Sequence, residues 1–285
     1  MGTSMNRRGV GVLRAVVLVV SFGLSAFGPL VSPGSAAGPP FTPPRLPDGS
    51  PDFNGIWQVR NSAYADLEDH PARLLGDHKS ARLFVPAGLS VVEGRQIPYQ
   101  PSALAKRQEN AAKQELLDPM ARCAMAGVPR AMYLNLPFEI AQTSKFIGII
   151  SEYSHSERIV HMDGSKHPEG IEFWMGDSRG RWDGATLVID SSNFNDKTWF
   201  DMSGNFHSNA LHVVERLTLL DADTLQYEAT IEDGNVFTRP WKISMPVYRV
   251  QAAERPELLE DECVGMLMED AGIMVNPSEE PPVKK

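Results

Sequence analysis

The spacing of short apolar runs between residues 138 and 250 is the feature that most limits how this chain can fold. Runs rich in Ile, Val and Phe occupy 138–143, 146–152, 157–162, 171–175, 179–182, 185–191, 211–220, 224–232 and 240–250. Asp163-Gly164, Asp183-Gly184, Asp221-Ala222-Asp223 and Asp233-Gly234 sit in the connections. Runs of this length, punctuated by Asp-Gly turns, predict hairpin-linked strands. No connection carries the helical crossover expected of a parallel α/β sheet. The expected fold is mainly β: an antiparallel meander that closes as a barrel or stacks as a sandwich. One helix is predicted over 102–117, where Pro101 precedes a possible Ser102 cap and Ala, Leu, Lys, Gln and Glu follow. Residues 61–98 and 123–137 are expected to be long loops.

The first residues carry a different message. Arg7, Arg8 and Arg14 precede an uncharged apolar stretch over 15–27, and Gly34-Ser35-Ala36-Ala37 follows. A basic start, a short apolar core and a small-residue exit predict a signal peptide over 1–37, hence a periplasmic or secreted protein. The apolar run is short for a membrane span, which needs roughly 20 residues. An uncleaved anchor is the alternative, and Arg7-Arg8 leaves Sec and twin-arginine export both open. Later segments predict no stable membrane insertion after cleavage. A Pro-rich lead-in follows over 38–51, then a single domain over 52–275 and a polar, Pro-containing tail over 276–285 expected to be disordered.

Charge narrows the partners. The formal charge is −9, and removing the first 37 residues with their three Arg and no acid takes it to −12. Such a chain repels phosphate backbones, so nucleic acid is not an expected partner. Cys123 and Cys263 are the two cysteines. In an oxidising compartment an isolated pair predicts a disulfide; a reactive thiol beside Arg122 is the alternative.

Alternation along the predicted strands assigns their faces. Leu225, Tyr227, Ala229 and Ile231 should face inward, as should Trp241, Ile243, Met245 and Val247. The run 211–220 breaks the rule, because Glu215 falls in register with Leu211, Val213, Leu217 and Leu219. A carboxylate among aliphatic side chains must be paired or protonated. Glu215 is thus either a structural acid bonded to an interior Arg or a group that handles a proton or a ligand. The run is preceded by the most polar segment of the chain, NFNDKTWFDMSGNFHSNALH over 193–212. It holds Asp196, Trp199, Asp201, His207 and His212. A loop of this kind over a barrel mouth suits a small polar or ring-bearing molecule; otherwise it is a solvated connection. His207, His212 and Glu215 could be considered as metal ligands, but their spacing matches no zincin pattern and no metal is assigned. No nucleophile elbow, phosphate-binding Gly-rich loop or dinucleotide fingerprint is present, and no cofactor is expected.

Two stretches carry resemblances. Asn54-Gly55-Ile56-Trp57 resembles the Gly-x-Trp opening of lipocalins and related barrels, in which the Trp plugs one end. The segments DPMARCAMAGVPRAM (118–132), FWMGDSRGRWDGATLVID (173–190), FNDKTWFDMSGNFHSNALHVVER (194–216) and DADTLQYEATIEDG (221–234) together resemble a broad family of largely uncharacterised exported bacterial proteins. The resemblance implies a lipocalin-like barrel and carries over no catalytic residues. Gly184-Ala185-Thr186-Leu187 departs from the usual Gly-Asp-Thr-Leu of such chains.

Two functions are expected to compete. In one, the barrel binds a small hydrophobic or aromatic molecule, with Trp199, Arg216, Tyr227 and Trp241 as binding residues. In the other, it is a cofactor-independent acid–base enzyme (lyase, isomerase, cyclase or hydrolase) acting on such a molecule. Glu215 with His207 or His212 would then move protons, and Asp196, Asp201 and Arg216 would orient. A structural envelope protein is the third possibility.

Overall fold

A computed structural model describes residues 41–75, 83–261 and 263. The expected signal peptide and C-terminal tail lie outside the described residues. The described residues form eleven strands: β1 (Gly55–Gln58), β2 (Arg73–Leu75), β3 (Leu83–Val85), β4 (Phe138–Gln142), β5 (Phe146–Ser151), β6 (Glu157–His161), β7 (Asp177–Asp183), β8 (Thr186–Ser192), β9 (His212–Leu219), β10 (Thr224–Glu232) and β11 (Trp241–Arg249). Nine of them close a barrel in the order β1-β11-β10-β9-β8-β7-β6-β5-β4, with β1 returning to β4; β2 and β3 form a separate hairpin. The mainly β barrel with one long N-terminal helix and long loops is therefore observed. Its meander has one interruption: β6 and β7 run parallel, pairing Val160 with Ser178 and His161 with Arg179. The connection 162–176 passes back along the barrel before β7 begins, so the two strands enter from the same end.

Closure depends on β1, four residues long. Trp57 pairs with Arg249 on one side and Phe138 on the other. The Arg249 guanidinium lies 4.2 Å from the centre of the Trp57 ring and donates to Asn54 O at 2.7 Å. The Trp57 indole donates to Phe53 O at 2.9 Å. A closed barrel leaves no unpaired strand edge, and these contacts hold its seam.

Period-two alternation sorts side chains as expected. Val213, Glu215 and Leu217 on β9, Leu225, Tyr227, Ala229 and Ile231 on β10, and Trp241, Ile243, Met245 and Val247 on β11 are all buried. Burial of this apolar set drives closure, at roughly 25 cal/mol per Å² removed from water.

Three local expectations change. The helix is two pieces, α1 (Pro101–Ala112) and α2 (Gln114–Leu117), and Lys113 between them leaves helical geometry (φ −128°, ψ 26°). Gln100 precedes α1, and Ser102 makes no capping bond because Pro101 already holds the first helical position. The run 171–175 makes only the Phe173–Phe194 bridge; it lacks the polar alternation of a half-buried strand and lies along the outside. The expected loop over 61–98 contains the β2–β3 hairpin.

The end of the barrel where β11 begins is plugged. Phe200 and Phe237 pack on Trp241 with ring centres 5.7 and 5.3 Å away. The Tyr133 hydroxyl, on the preceding long excursion, donates to Phe200 O at 2.9 Å. Cys123 and Cys263 form a disulfide with Cα atoms 5.3 Å apart. No helix among the described residues is long and apolar enough to cross a membrane.

Candidate functional site

The barrel interior carries a polar belt. Arg158 Nη1 donates to Glu215 Oε1 at 3.1 Å, and Nη2 contacts Glu215 Oε2. Nε donates to Ser178 Oγ at 2.9 Å and Nη2 to Ser191 Oγ at 2.8 Å. The Tyr227 hydroxyl donates to Glu215 Oε1 at 2.8 Å, and burial together with the Glu215 charge pushes the phenol's pKa well above its ordinary value. Each of five consecutive strands, β6 to β10, contributes one of these side chains. All are buried. An ion pair this deep persists only when its remaining hydrogen-bonding capacity is filled, and here both carboxylate oxygens and all three guanidinium nitrogens are engaged. Glu215 thus sits as an acid bonded to an interior Arg, and the surrounding lumen positions hold Tyr133, Phe138, Ile140, Ile147 and Leu187 at near-zero exposure.

The polar loop over 193–211 folds inward rather than lining an open mouth. His207 is buried; its Nδ1–H donates to Ser208 O at 2.9 Å, so Nε2 accepts from the Thr198 hydroxyl at 2.7 Å. Burial lowers the imidazole pKa and favours this neutral form. Asp201 is fully buried and ties two loops together. Oδ2 accepts from Leu67 N at 2.9 Å and Asn205 Nδ2 at 2.6 Å, and Oδ1 from Ser203 N at 2.9 Å and Asn205 N at 3.3 Å. Burial and the neighbouring Asp66 carboxylate push its pKa up to about 7, against the pull of these N–H donors. Trp199 is buried in the same plug, Trp241 lies beneath it, and of this stretch Asp196, Lys197, Asn209 and Ala210 are exposed.

His212 and Arg216 lie on the outward face of β9, so neither meets Glu215, which the pleat turns to the opposite side. His212 Nε2 is 3.0 Å from Asp190 Oδ1. The same oxygen lies 3.2 Å from His167 Nε2, and His167 Nδ1 lies 2.6 Å from Asp177 Oδ1. His212 borders an open groove of about 650 Å³ with Leu211, Asn209, Phe194, Ile171 and Glu172. Arg216, farther along the wall, is paired with Asp183 at 2.8 Å. The expected catalytic set is therefore divided among the lumen (Glu215), the plug (His207, Asp201), the loop edge (Asp196) and the outer wall (His212). Of the expected binding residues, Tyr227 is in the lumen, Trp199 and Trp241 are in the plug, and Arg216 is outside. No group of three His, Cys, Asp or Glu converges as a metal site among the described residues.

A second groove, of about 540 Å³, was not anticipated. Leu116 and Leu117 of α2, Met125 and Trp174 line it, with Arg122 and Lys197 also on its walls. Leu116 is 47% exposed, Met125 41% and Trp174 36%. The Lys197 ammonium lies 5.7 Å from the centre of the Trp174 ring. The disulfided Cys123 forms part of the wall, so the bridge braces the groove. Three distant segments build it, and the available signal was the pair Leu116-Leu117 closing a polar helix, with an Ile-Glu-Phe-Trp run that fails to alternate. Comparison with protein-family models, curated proteins and solved structures gives no match.

Proposed function

We propose that this is an exported protein that binds a small hydrophobic or aromatic molecule in the groove between α2 and Trp174. The observation that carries the reading is the exposure of four large apolar side chains, Leu116, Leu117, Met125 and Trp174, around one concavity. Monomeric proteins seldom leave such a cluster open without a use, and a groove of this volume falls in the range of small-molecule sites. The lumen is less suited, because large side chains and the Arg158–Glu215 belt occupy it. Export is supported by the basic and apolar start of the chain and by the disulfide.

Titration with the neutral fluorophore N-phenyl-1-naphthylamine tests the reading. Saturable enhancement that is lost in Leu117→Asp and Trp174→Ala is expected. Unchanged enhancement in both variants would remove the groove as the site.

A second reading, acid–base chemistry, is favoured by the His212–Asp190 contact at the edge of the other groove. With Nε2 turned to Asp190, the second ring nitrogen, Nδ1, lies 3.8 Å from Glu232 Oε2, and the imidazole between two carboxylates is the group that would handle a proton. On this reading His212→Gln stops turnover of a compound held in the His212 groove, while naphthylamine affinity at the Trp174 groove stays unchanged. A bound compound whose mass stays constant on incubation with the wild-type protein would count against it.

A further inference from the structure

We propose that the ligand of the Trp174 groove is a free carboxylate with an apolar body, a fatty-acid-like or arylalkanoate anion, whose head group is received by Arg122 and Lys197. The inference rests on the groove being the binding site and adds the chemistry of the head group.

The groove has two chemically different parts. Leu116, Leu117, Met125 and Trp174 offer apolar surface for a chain or ring. Arg122 and Lys197 add two positive charges to the same walls. The chain has 36 acidic residues against 27 Lys and Arg, yet no carboxylate of a described residue lies within ion-pair distance of either cation. The acid nearest in sequence to Arg122 is already committed. Asp118 is buried in a two-bond pair with Arg130, Nη1 to Oδ1 and Nη2 to Oδ2 both at 2.8 Å, and it also accepts from Met120 N at 3.0 Å. Asp196, next to Lys197, is exposed and makes no ion pair with it. Two cations that pair with no carboxylate among the described residues, beside an open apolar surface, are complementary to one amphipathic anion.

The two cations have different work to do. Arg122 ends the short 3-10 turn Pro119–Arg122, which the buried Asp118 caps and the Cys123–Cys263 bridge follows directly. Its base is therefore anchored, and a planar guanidinium can take both oxygens of a carboxylate. Lys197 lies over the Trp174 ring, whose π face attracts the ammonium and keeps it beside the apolar wall. A ligand chain laid on Trp174 would bring its head to this pair. A neutral alcohol of equal length would gain the apolar contact alone, and a quaternary ammonium would meet two like charges.

Isothermal titration of the full chain with decanoate, decanol and decyltrimethylammonium, each below its micellar concentration, separates these cases. Decanoate should bind about tenfold more tightly than decanol, the gain expected of one charge-assisted contact, and the cation should bind weakest. Arg122→Gln and Lys197→Gln should each bring decanoate towards decanol, closing most of the roughly tenfold gap between the two ligands. Equal affinity of decanoate and decanol would overturn the head-group assignment while leaving the groove reading in place. Absence of binding by all three would overturn both. Association with phosphatidylglycerol vesicles without affinity for free decanoate would overturn the assignment in favour of a membrane-facing surface.

Discussion

Arg158 and Glu215 meet inside the barrel as a two-point ion pair, although β6 and β9 are separated in the sheet by β7 and β8. Ser178 and Ser191 on those intervening strands hold the same guanidinium. The belt therefore fixes the curvature of the wall from within as well as pairing two charges.

Removal of one partner should be far more harmful than removal of both. Glu215→Gln or Arg158→Met leaves a buried charge unmatched and should cost about 3–5 kcal/mol in urea unfolding. The double variant Arg158→Met/Glu215→Leu should recover much of that loss. A double variant less stable than either single one would contradict this.

Gly204 adopts φ +81°, and a Cβ there would lie 2.6 Å from Ala111 N and 2.7 Å from Asn110 Cβ. Gly204→Ala should therefore detach the plug loop from α1 and cost more than about 2 kcal/mol in thermal unfolding. Gly164, at φ +72° with open space around it, provides the control. Gly164→Ala should cost only about 1 kcal/mol, the backbone penalty alone.

The Cys123–Cys263 bridge closes a sequence separation of 140 residues. Its reduction, or replacement of both cysteines by Ser, should cost about 2–5 kcal/mol. Because Cys123 lines the Trp174 groove, the same change should weaken naphthylamine binding. Stability and binding that are both insensitive to reduction would contradict the bracing role.

Asp201 gives the plug a pH dependence of defined sign. Its pKa is about 7 in the fold against 3.8 ordinarily, so between those values the folded protein holds a proton that the unfolded chain has released. Its contribution to stability is full below pH 3.8, falls as pH rises through the window, and is flat above about 7. In Asp201→Asn that component should vanish. Unfolding by urea at several pH values should therefore show the stability of wild type relative to the variant decreasing from pH 4.5 to 8, two values chosen at about the ends of the titration. A difference that stays flat over this range would mean that the four N–H donors hold Asp201 ionised throughout, and would contradict the raised pKa.

The barrel was legible because its strands are amphipathic at period two and its turns carry Asp-Gly. Glu215 was legible as an inward carboxylate by the same register. Its partner was hidden, since β6 reads Glu-Arg-Ile-Val-His and places Arg158 inside while Ile159 faces out, an inversion that local patterning cannot announce. His207 and His212 are close in sequence, yet one is fixed inside the plug and the other begins an outward-facing strand position. The Trp174 groove was illegible for another reason: α2, Met125, Trp174 and Lys197 come together only after the barrel closes. Sequence proximity suggested one site where the fold makes several separate environments.

The most direct test of the groove claim is a two-dimensional NMR titration of the five tryptophan indole N–H signals, assigned by single Trp→Phe substitutions, with decanoate and decanol. Binding in the groove predicts a saturable shift of Trp174, while Trp57 in the barrel seam and Trp241 under the plug stay in place. Movement of Trp57 and Trp241 with Trp174 unchanged would put the ligand in the lumen and contradict the account.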